Sequence, residues 1–254
     1  MNTVITIKEI AAQRPHLKDA LGLYEKVTEF NRLIGEMSAS APPSPGDICY
    51  PPSSIDPLIE SFSSVVDVPM DILAPLKEAM RLGQVDLSRL PFNETPAFSL
   101  PYHEDELAGL LFLISRPFFL RLGSSLNIPS LFWEEGRCPV CNATPSLSFL
   151  RQEEGKVLSC SYCSSRGTWH RIGCPHCQNR DARKLEIIEV EQEKGFRMDL
   201  CNECKSYLKT MDEGLLSEYT PELLDIISLP LDILAQDRGY KRRSPNPIGM
   251  TKIA

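Results

Sequence analysis

Four copies of a two-cysteine motif constrain the fold of this chain more than any other feature of its sequence. Each copy is C-x-x-C, here called a knuckle, and all four lie between Arg137 and Asp212. The four knuckles are Cys138/Cys141, Cys160/Cys163, Cys174/Cys177 and Cys201/Cys204. Taken as consecutive pairs they form a repeat, because each pair encloses a turn signal, Glu154-Gly155 in the first and Lys194-Gly195 in the second. Such a repeat predicts two tandem zinc-ribbon or rubredoxin-like modules.

The spacing within and between the knuckles suits four-sulfur metal sites. Two cysteines three positions apart on a tight turn can direct both sulfurs at one ion, and a β-hairpin can bring two knuckles face to face. Eighteen residues separate Cys141 from Cys160, within the range of about 15–20 that is typical of zinc sites. Twenty-three residues separate Cys177 from Cys201, so the second hairpin is predicted to be longer. The eight cysteines are therefore predicted to hold two metal ions per chain, iron or zinc.

The sequence leaves other arrangements of these cysteines open. A cross-braced fold would pair the first knuckle with the third and the second with the fourth, but consecutive pairing is favoured because each repeat then closes its own site. Disulfides need an oxidising compartment, and the N-terminus shows no secretory signal, which favours free thiolates. Thioredoxin-like chemistry needs one knuckle at the start of a helix in a βαβ unit, which four knuckles on hairpins do not supply.

Both metal sites are predicted to be structural. A hairpin module of this length has little apolar core, and structural zinc supplies about 10–16 kcal/mol of apparent binding free energy in finger peptides. Four protein sulfurs around one ion leave no open position for substrate or water. The chain is therefore not expected to be an enzyme.

The charge balance argues against nucleic acid as the main partner. The 254-residue chain has a formal net charge of −7, and Lys and Arg in the knuckle region are interleaved with Asp and Glu. Zinc ribbons that bind DNA or RNA usually present a basic face. No stretch of the sequence has the roughly 18 consecutive apolar residues of a membrane span, so a cytoplasmic protein is expected.

Helical periodicity dominates the chain before the first knuckle. Helices are predicted from His16 to Met37, from Ser54 or Asp56, from Pro69 to about Leu82, and from His103 or Glu104. The last helix is apolar on all sides, which is typical of the central helix of a bundle, with a docking groove for a partner as the alternative. The Pro/Ser-rich stretch 38–54 is predicted to be a linker or a surface loop.

These patterns together predict an α+β protein. An all-α N-terminal domain is followed by two tandem ribbon modules, each a hairpin with a third strand, and then by a C-terminal helix that starts at Pro221 and is bent by Pro230. The predicted domains are residues 1–133 for the helical part, 134–172 for the first ribbon, 173–213 for the second, and 214–254 for the C-terminal helix and a basic tail.

Several reactive or charged residues are predicted to play no part in the metal sites. Cys49 lies alone in the Pro/Ser-rich stretch and is expected to be a simple thiol. His170 and His176 are expected to be surface groups, because each site already has four cysteines. The cluster Lys241 to Arg243 is expected to be a solvated tail, with an acidic partner as the alternative.

The region from Arg137 to the C-terminus resembles the formate dehydrogenase accessory protein family, FdhE. Besides the four ordered knuckles, the resemblance rests on three stretches and one dipeptide: Gly167–Arg171, Tyr207–Lys209, Leu231–Tyr240 and Asn246-Pro247. The resemblance implies a cytoplasmic maturation factor that binds the catalytic subunit of a formate dehydrogenase, a subunit that carries molybdenum or tungsten. It also suggests iron in the knuckle sites, although a sulfur tetrahedron accepts zinc equally well.

The sequence departs from the usual knuckle pattern at four positions. The residue after the second cysteine is often Gly, because a positive φ turns the backbone N–H towards the sulfur. Here these positions hold Asn142, Ser164, Gln178 and Lys205, of which only Asn tolerates that conformation well.

The sequence leaves two further functions open. A rubredoxin-like electron carrier requires iron with a reversible couple, and a nucleic-acid adaptor requires strongly salt-dependent binding.

Overall fold

The structure, a computed structural model, describes residues 6–37, 52–85, 87, 90–91, 100–126, 131–151, 155–191 and 193–253. Cys49, most of the predicted linker and Glu154 of the first turn signal lie outside these residues. The helices are α1 Ile7–Gln13, α2 Lys18–Met37, α3 Pro52–Val66, α4 Met70–Arg81, α5 Glu104–Ser125, α6 Pro221–Ile227 and α7 Leu229–Asp237. The described residues thus place five helices before the knuckles and two after them.

Helices α2 to α5 bury their apolar residues in a common core. On α2, Val27, Phe30 and Ile34 recur at three- and four-residue steps and are almost completely buried. Phe30 meets Phe62 of α3 edge to face, with ring centroids 5.1 Å apart. These contacts confirm the helical character that was predicted for the N-terminal part.

Helix α5 is the central element of the N-terminal core. The backbone N–H of His103 donates to the Glu106 carboxylate at 3.1 Å and so stabilises the start of the helix. By length and composition alone α5 is long and apolar enough to cross a membrane. However, 61% of its most apolar 18-residue window is buried inside the protein, and Phe112 is fully buried. This environment is that of a core helix, because its apolar side chains already have protein partners.

One seven-stranded sheet contains both ribbons. The strands are β1 Leu131–Phe132, β2 Leu147–Arg151, β3 Gly155–Ser159, β4 Arg166–Trp169, β5 Leu185–Glu189, β6 Phe196–Cys201 and β7 Ser206–Asp212. Their order across the sheet is β1-β4-β3-β2-β7-β6-β5. Strands β2 to β4 form the first antiparallel ribbon, and β5 to β7 form the second. The predicted hairpins with a third strand are therefore present.

The two ribbons are joined by a parallel seam between β2 and β7. Leu147 pairs with Lys209, and Leu150 pairs with Asp212, so the seam is four residues long. Across it, the Ser148 and Thr210 hydroxyls lie 2.6 Å apart, and Thr210 donates to Asp199 at 2.7 Å. The seam makes the two modules one continuous sheet.

The C-terminal helices cover one face of this sheet. The single bent helix expected from the sequence is two helices, because the backbone leaves the helical conformation at Ser228 and Pro230 starts the first turn of α7. A second apolar core lies between them and the strands, and it includes Met198 and Leu224. Leu21 of the N-terminal helix α2 joins the same core. The α+β class, with N-terminal helices, two ribbons and a C-terminal helical segment, is confirmed.

Candidate metal centres

All four knuckles share one backbone turn. In the first, the N–H of Asn142 donates to the carbonyl of Cys138 at 2.7 Å, and the N–H of Cys138 donates to that of Ala143 at 2.8 Å. The second and third knuckles repeat both bonds, and the fourth is the tip of the β6–β7 hairpin, where Cys201 pairs with Ser206. The same local fold thus presents each pair of sulfurs.

The four positions that lack the usual Gly nevertheless adopt the left-handed backbone conformation. The φ angles are 63° at Asn142, 56° at Ser164, 62° at Gln178 and 52° at Lys205. Three of these side chains make contacts that Gly could not. Ser164 lies 2.8 Å from Glu222 of α6, Gln178 donates to the carbonyl of Glu135 at 3.2 Å, and Lys205 donates to Asn202 at 2.8 Å. These side-chain contacts offset part of the backbone strain that a positive φ causes at a residue other than Gly.

The structure brings the predicted cysteines together in two groups of four. The first group is Cys138, Cys141, Cys160 and Cys163, and the second is Cys174, Cys177, Cys201 and Cys204. Within each group all sulfurs lie within 4.8 Å of one another. The knuckles are thus grouped consecutively, not in the cross-braced arrangement.

The sulfur geometry fits a tetrahedral ion. Sulfurs about 2.3 Å from a central ion lie about 3.8 Å apart at the corners of a tetrahedron. The Cys138–Cys163 and Cys141–Cys160 sulfurs are 3.4 Å apart, and the corresponding distances in the second group, Cys174–Cys204 and Cys177–Cys201, are 3.7 Å. A disulfide would need about 2.05 Å, so these thiols are free. Each group could therefore hold one metal ion.

Serine hydroxyls support both groups from equivalent positions, two residues after the last cysteine. Ser165 lies 3.2 Å from the Cys163 sulfur, and Ser206 lies 2.9 Å from the Cys204 sulfur. A hydroxyl that donates to a thiolate orients it and lowers its basicity. Sequence reasoning missed these serines, although their identical offset from the second and fourth knuckles was a signal.

Burial makes proton release part of metal binding. Desolvation raises the pKa of the Cys160 thiol well above its usual value, because the thiolate would be buried. Desolvation likewise raises the pKa of Cys177 to about 11. The thiolate is the species that binds a metal. Binding must therefore displace protons from these sulfurs.

Helix α5 packs directly on the first group. A Cβ atom at Gly123 would lie 2.0 Å from the carbonyl oxygen of Cys163, so only Gly allows this approach. Tyr162, inside the second knuckle, lies edge to face between Phe112 and Phe119 of α5, with centroid distances of 4.8 and 5.2 Å. The first group is consequently part of the N-terminal core.

Arg116 is a second link between α5 and this group. Its guanidinium is 3% exposed, donates to the carbonyl of Ser161 at 2.9 Å and lies 3.3 Å from the Glu222 carboxylate. One side chain therefore contacts the central helix, the second knuckle and α6. The role of Arg116 could not be predicted from the sequence, because a charged residue in an apolar helix does not show which groups it will contact.

The second group lies beside an open cleft. This cleft has a volume of about 690 Å³, and Cys177 and Cys204 line it. It is also lined by the basic residues Arg137, Lys241 and Arg243 and by the acidic residues Glu104 and Asp105. Cys177 is exposed and Cys204 is half-buried, whereas all four cysteines of the first group are buried.

His176 is half-buried and not the surface group that was predicted, and it belongs to neither four-cysteine group. Both ring nitrogens are buried without a hydrogen-bond partner among the described residues. Desolvation, followed by the charges of Arg243 and Arg242, lowers the pKa of His176 to about 3. The imidazole is therefore a neutral packing group of the third knuckle. His170 is half-buried, and its Nε2 lies 2.7 Å from Arg180.

The prediction of a solvated basic tail is wrong at Arg242. This guanidinium is 4% exposed and lies 2.5 Å from Asp225 and 2.8 Å from Asp232. Lys209, fully buried on β7, contacts the same two carboxylates at 2.6 and 2.5 Å. Two cations and two acids thus form a closed cluster that ties β7 and both C-terminal helices to the tail. The available signal was two aspartates seven residues apart within an apolar helical pattern.

Comparisons with known proteins agree on one family. The family model described as FdhE, C-terminal domain, matches residues 172–248. A protein from Stutzerimonas stutzeri named Protein FdhE homolog is 26% identical over 268 aligned positions, covering 94% of this chain and 86% of its own length. The crystal structure of the FdhE protein from Pseudomonas aeruginosa has the same fold, with a TM-score of 0.63 and 19% identity over 95% of this chain and 92% of its own. The C-terminal part of the chain matches the FdhE family model, and the chain shares its fold with an FdhE protein.

The match to FdhE proteins is uneven along the chain. The Protein FdhE homolog from Aquifex aeolicus is 29% identical over 150 residues, which is 58% of this chain and 53% of the relative. The matched family model covers only the second ribbon and most of the C-terminal segment. The fold match extends over almost the whole chain, so the FdhE arrangement of helices and ribbons is common to both proteins.

Proposed function

We propose that this chain is a formate dehydrogenase accessory protein that binds the catalytic subunit in the cytoplasm and assists its assembly. Similarity to FdhE proteins is the observation that carries the proposal. The eight cysteines of the two groups act as the metal ligands, with iron or zinc as the ion. The protein catalyses no reaction of its own, because four sulfurs around each ion leave no position for a substrate.

The metals support this function by making the sheet rigid. Each ion fastens the two ends of one ribbon, and the β2–β7 seam joins the ribbons into one sheet. A preorganised surface loses less conformational entropy when it binds a partner. The helical part and the metal-held sheet together form the surface that holds the immature subunit.

Co-purification tests the proposal in the host's own cells. Tagged protein is expected to retain the formate dehydrogenase catalytic subunit, and deletion of the gene is expected to lower formate dehydrogenase activity. Replacing Cys138 and Cys174 by Ala should abolish both the retention and the complementation. Arg32→Ala is the control, because Arg32 is exposed on α2 and, within the part of the chain that the structure describes, forms ion pairs only with Glu29 and Glu36 of the same helix.

Two results would contradict the proposal. Intact formate dehydrogenase activity in the deletion strain would remove the accessory role. A soluble, folded Cys138→Ala/Cys174→Ala protein that still retained the subunit would show that the metals do not support binding.

A further inference from the structure

The two cysteine groups differ in their surroundings far more than in their sulfur geometry. In the first group Cys138, Cys160 and Cys163 are no more than 3% exposed and belong to the N-terminal core. In the second group Cys177 is exposed and Cys204 is half-buried. Because the local turns are the same, the difference comes from what covers each group.

Helix α5 closes the first group. Its Gly123 touches the backbone of Cys163, and Tyr162 fills the space between Phe112 and Phe119. With Cys138, Cys160 and Cys163 no more than 3% exposed, a reagent could reach an ion in this group only if the surrounding core packing opened. Such an opening exposes core surface and is therefore rare.

The second group is covered on one side only: Gly136 packs on the backbone of Pro175 in the third knuckle, whereas Cys177 stays exposed and Cys204 half-buried. Cys177 and Cys204 face the 690 Å³ cleft, which is wide enough for a small molecule. The segment 241–245 borders it, and Arg243 donates to the carbonyl of Cys204 at 3.1 Å.

We propose that the two sites divide their roles. The first holds its ion as part of the core, and the second holds an exchangeable ion that soft donor ligands, such as thiolates, reach through the cleft at Cys177 and Cys204. This inference rests on both sites holding metal, as in the proposed function, but not on the identity of the partner. Because four sulfurs fill the positions around the ion, an outside thiolate would bind by displacing Cys177 or Cys204, the two accessible cysteines.

The zinc-loaded full chain tests the inference through metal release. Zinc content is measured first, and then release to the chelator 4-(2-pyridylazo)resorcinol is followed by absorbance. Two phases of one equivalent each are expected, with the first about tenfold or more faster than the second. In parallel, iodoacetamide followed by mass spectrometry should label Cys177 and Cys204 before any cysteine of the first group.

A matched pair of variants assigns the phases. Cys177 and Cys141 are the second cysteines of equivalent knuckles, so Cys177→Ser should remove the fast phase and Cys141→Ser the slow one. If Cys141→Ser does not fold, the labelling order in the unmodified chain still decides. Release of both equivalents at one rate, or earlier labelling of the first group, would overturn the inference. Fewer than two bound zinc ions would instead contradict the metal content assumed in the proposed function.

Discussion

At the scale of single residues, the buried charge cluster shows how the tail is held. Lys209 and Arg242 are both buried, and each contacts Asp225 and Asp232. The two cations lower the pKa of the Asp232 carboxyl despite the desolvation that would raise it, so it stays ionised. Tyr207 donates to the same carboxylate at 2.7 Å. The cluster is balanced in charge, and each acid has two cationic partners.

Removing one acid from this cluster should be costly. Asp232→Ala leaves Lys209 and Arg242 with one carboxylate between them, and loss of one member of a buried ion pair costs about 3–5 kcal/mol. The free energy of unfolding from urea titration measures the effect. Asp237→Ala is the control, because Asp237 is exposed at the end of the same helix and should change stability by less than about 0.5 kcal/mol. Equal losses in both variants would show that the cluster does not stabilise the fold.

The left-handed knuckle positions give a second prediction at this scale. Gln178 has a φ of 62°, which a β-branched residue tolerates poorly. Gln178→Ile should lower the free energy of unfolding by about 1–3 kcal/mol, whereas Gln178→Gly should stay within about 1 kcal/mol of the parent. Thermal melts of the two variants provide the comparison. A Gly variant that is less stable than the Ile variant would mean that the backbone of this knuckle is not what limits stability.

At the scale of elements, the contact between α5 and the first ribbon couples the helical part to a metal site. Arg116, Tyr162 and Gly123 all lie at this contact. Loss of the first metal should therefore loosen the helices as well as the ribbon. An isolated ribbon would show no such coupling.

A single methyl group tests this contact. Gly123→Ala places a Cβ where the carbonyl of Cys163 lies, so α5 must shift, at a cost of about 1–3 kcal/mol. Gly22→Ala on α2 is the matched control, because no atom lies within 4 Å of the new Cβ and the substitution should gain about 0.5–1 kcal/mol. Melting temperatures that move in opposite directions are expected. Similar shifts for both variants would show that α5 does not pack closely on the knuckle.

The element scale also shows which parts of the fold the sequence determines locally. Knuckles, hairpins and amphipathic helices follow from spacing and periodicity, so they could be predicted residue by residue. The parallel seam between β2 and β7 could not, because pairing between distant strands leaves no periodic signal. The burial of His176 and Arg242 was missed for a related reason, since each is covered by residues far away in sequence. The domain boundaries at residues 133, 172 and 213 stay predictions.

At the scale of the whole molecule, metal binding should be linked to pH. The pKa of the Cys160 thiol is raised by burial, so this thiol carries a proton when no ion is present. Zinc binding should therefore release protons, and metal affinity should fall as the pH falls. Calorimetric titrations in two buffers of different ionisation enthalpy measure the protons released. Enthalpies that do not depend on the buffer would mean that the sites are already deprotonated.

The proposed function depends on eight sulfurs forming two closed metal sites. The most direct measurement is X-ray absorption spectroscopy of protein isolated from its own host, combined with elemental analysis. Two ions per chain are expected, each with four sulfur neighbours at about 2.3 Å and no nitrogen or oxygen in the first shell. A single ion per chain, or mixed sulfur and oxygen coordination, would contradict the account.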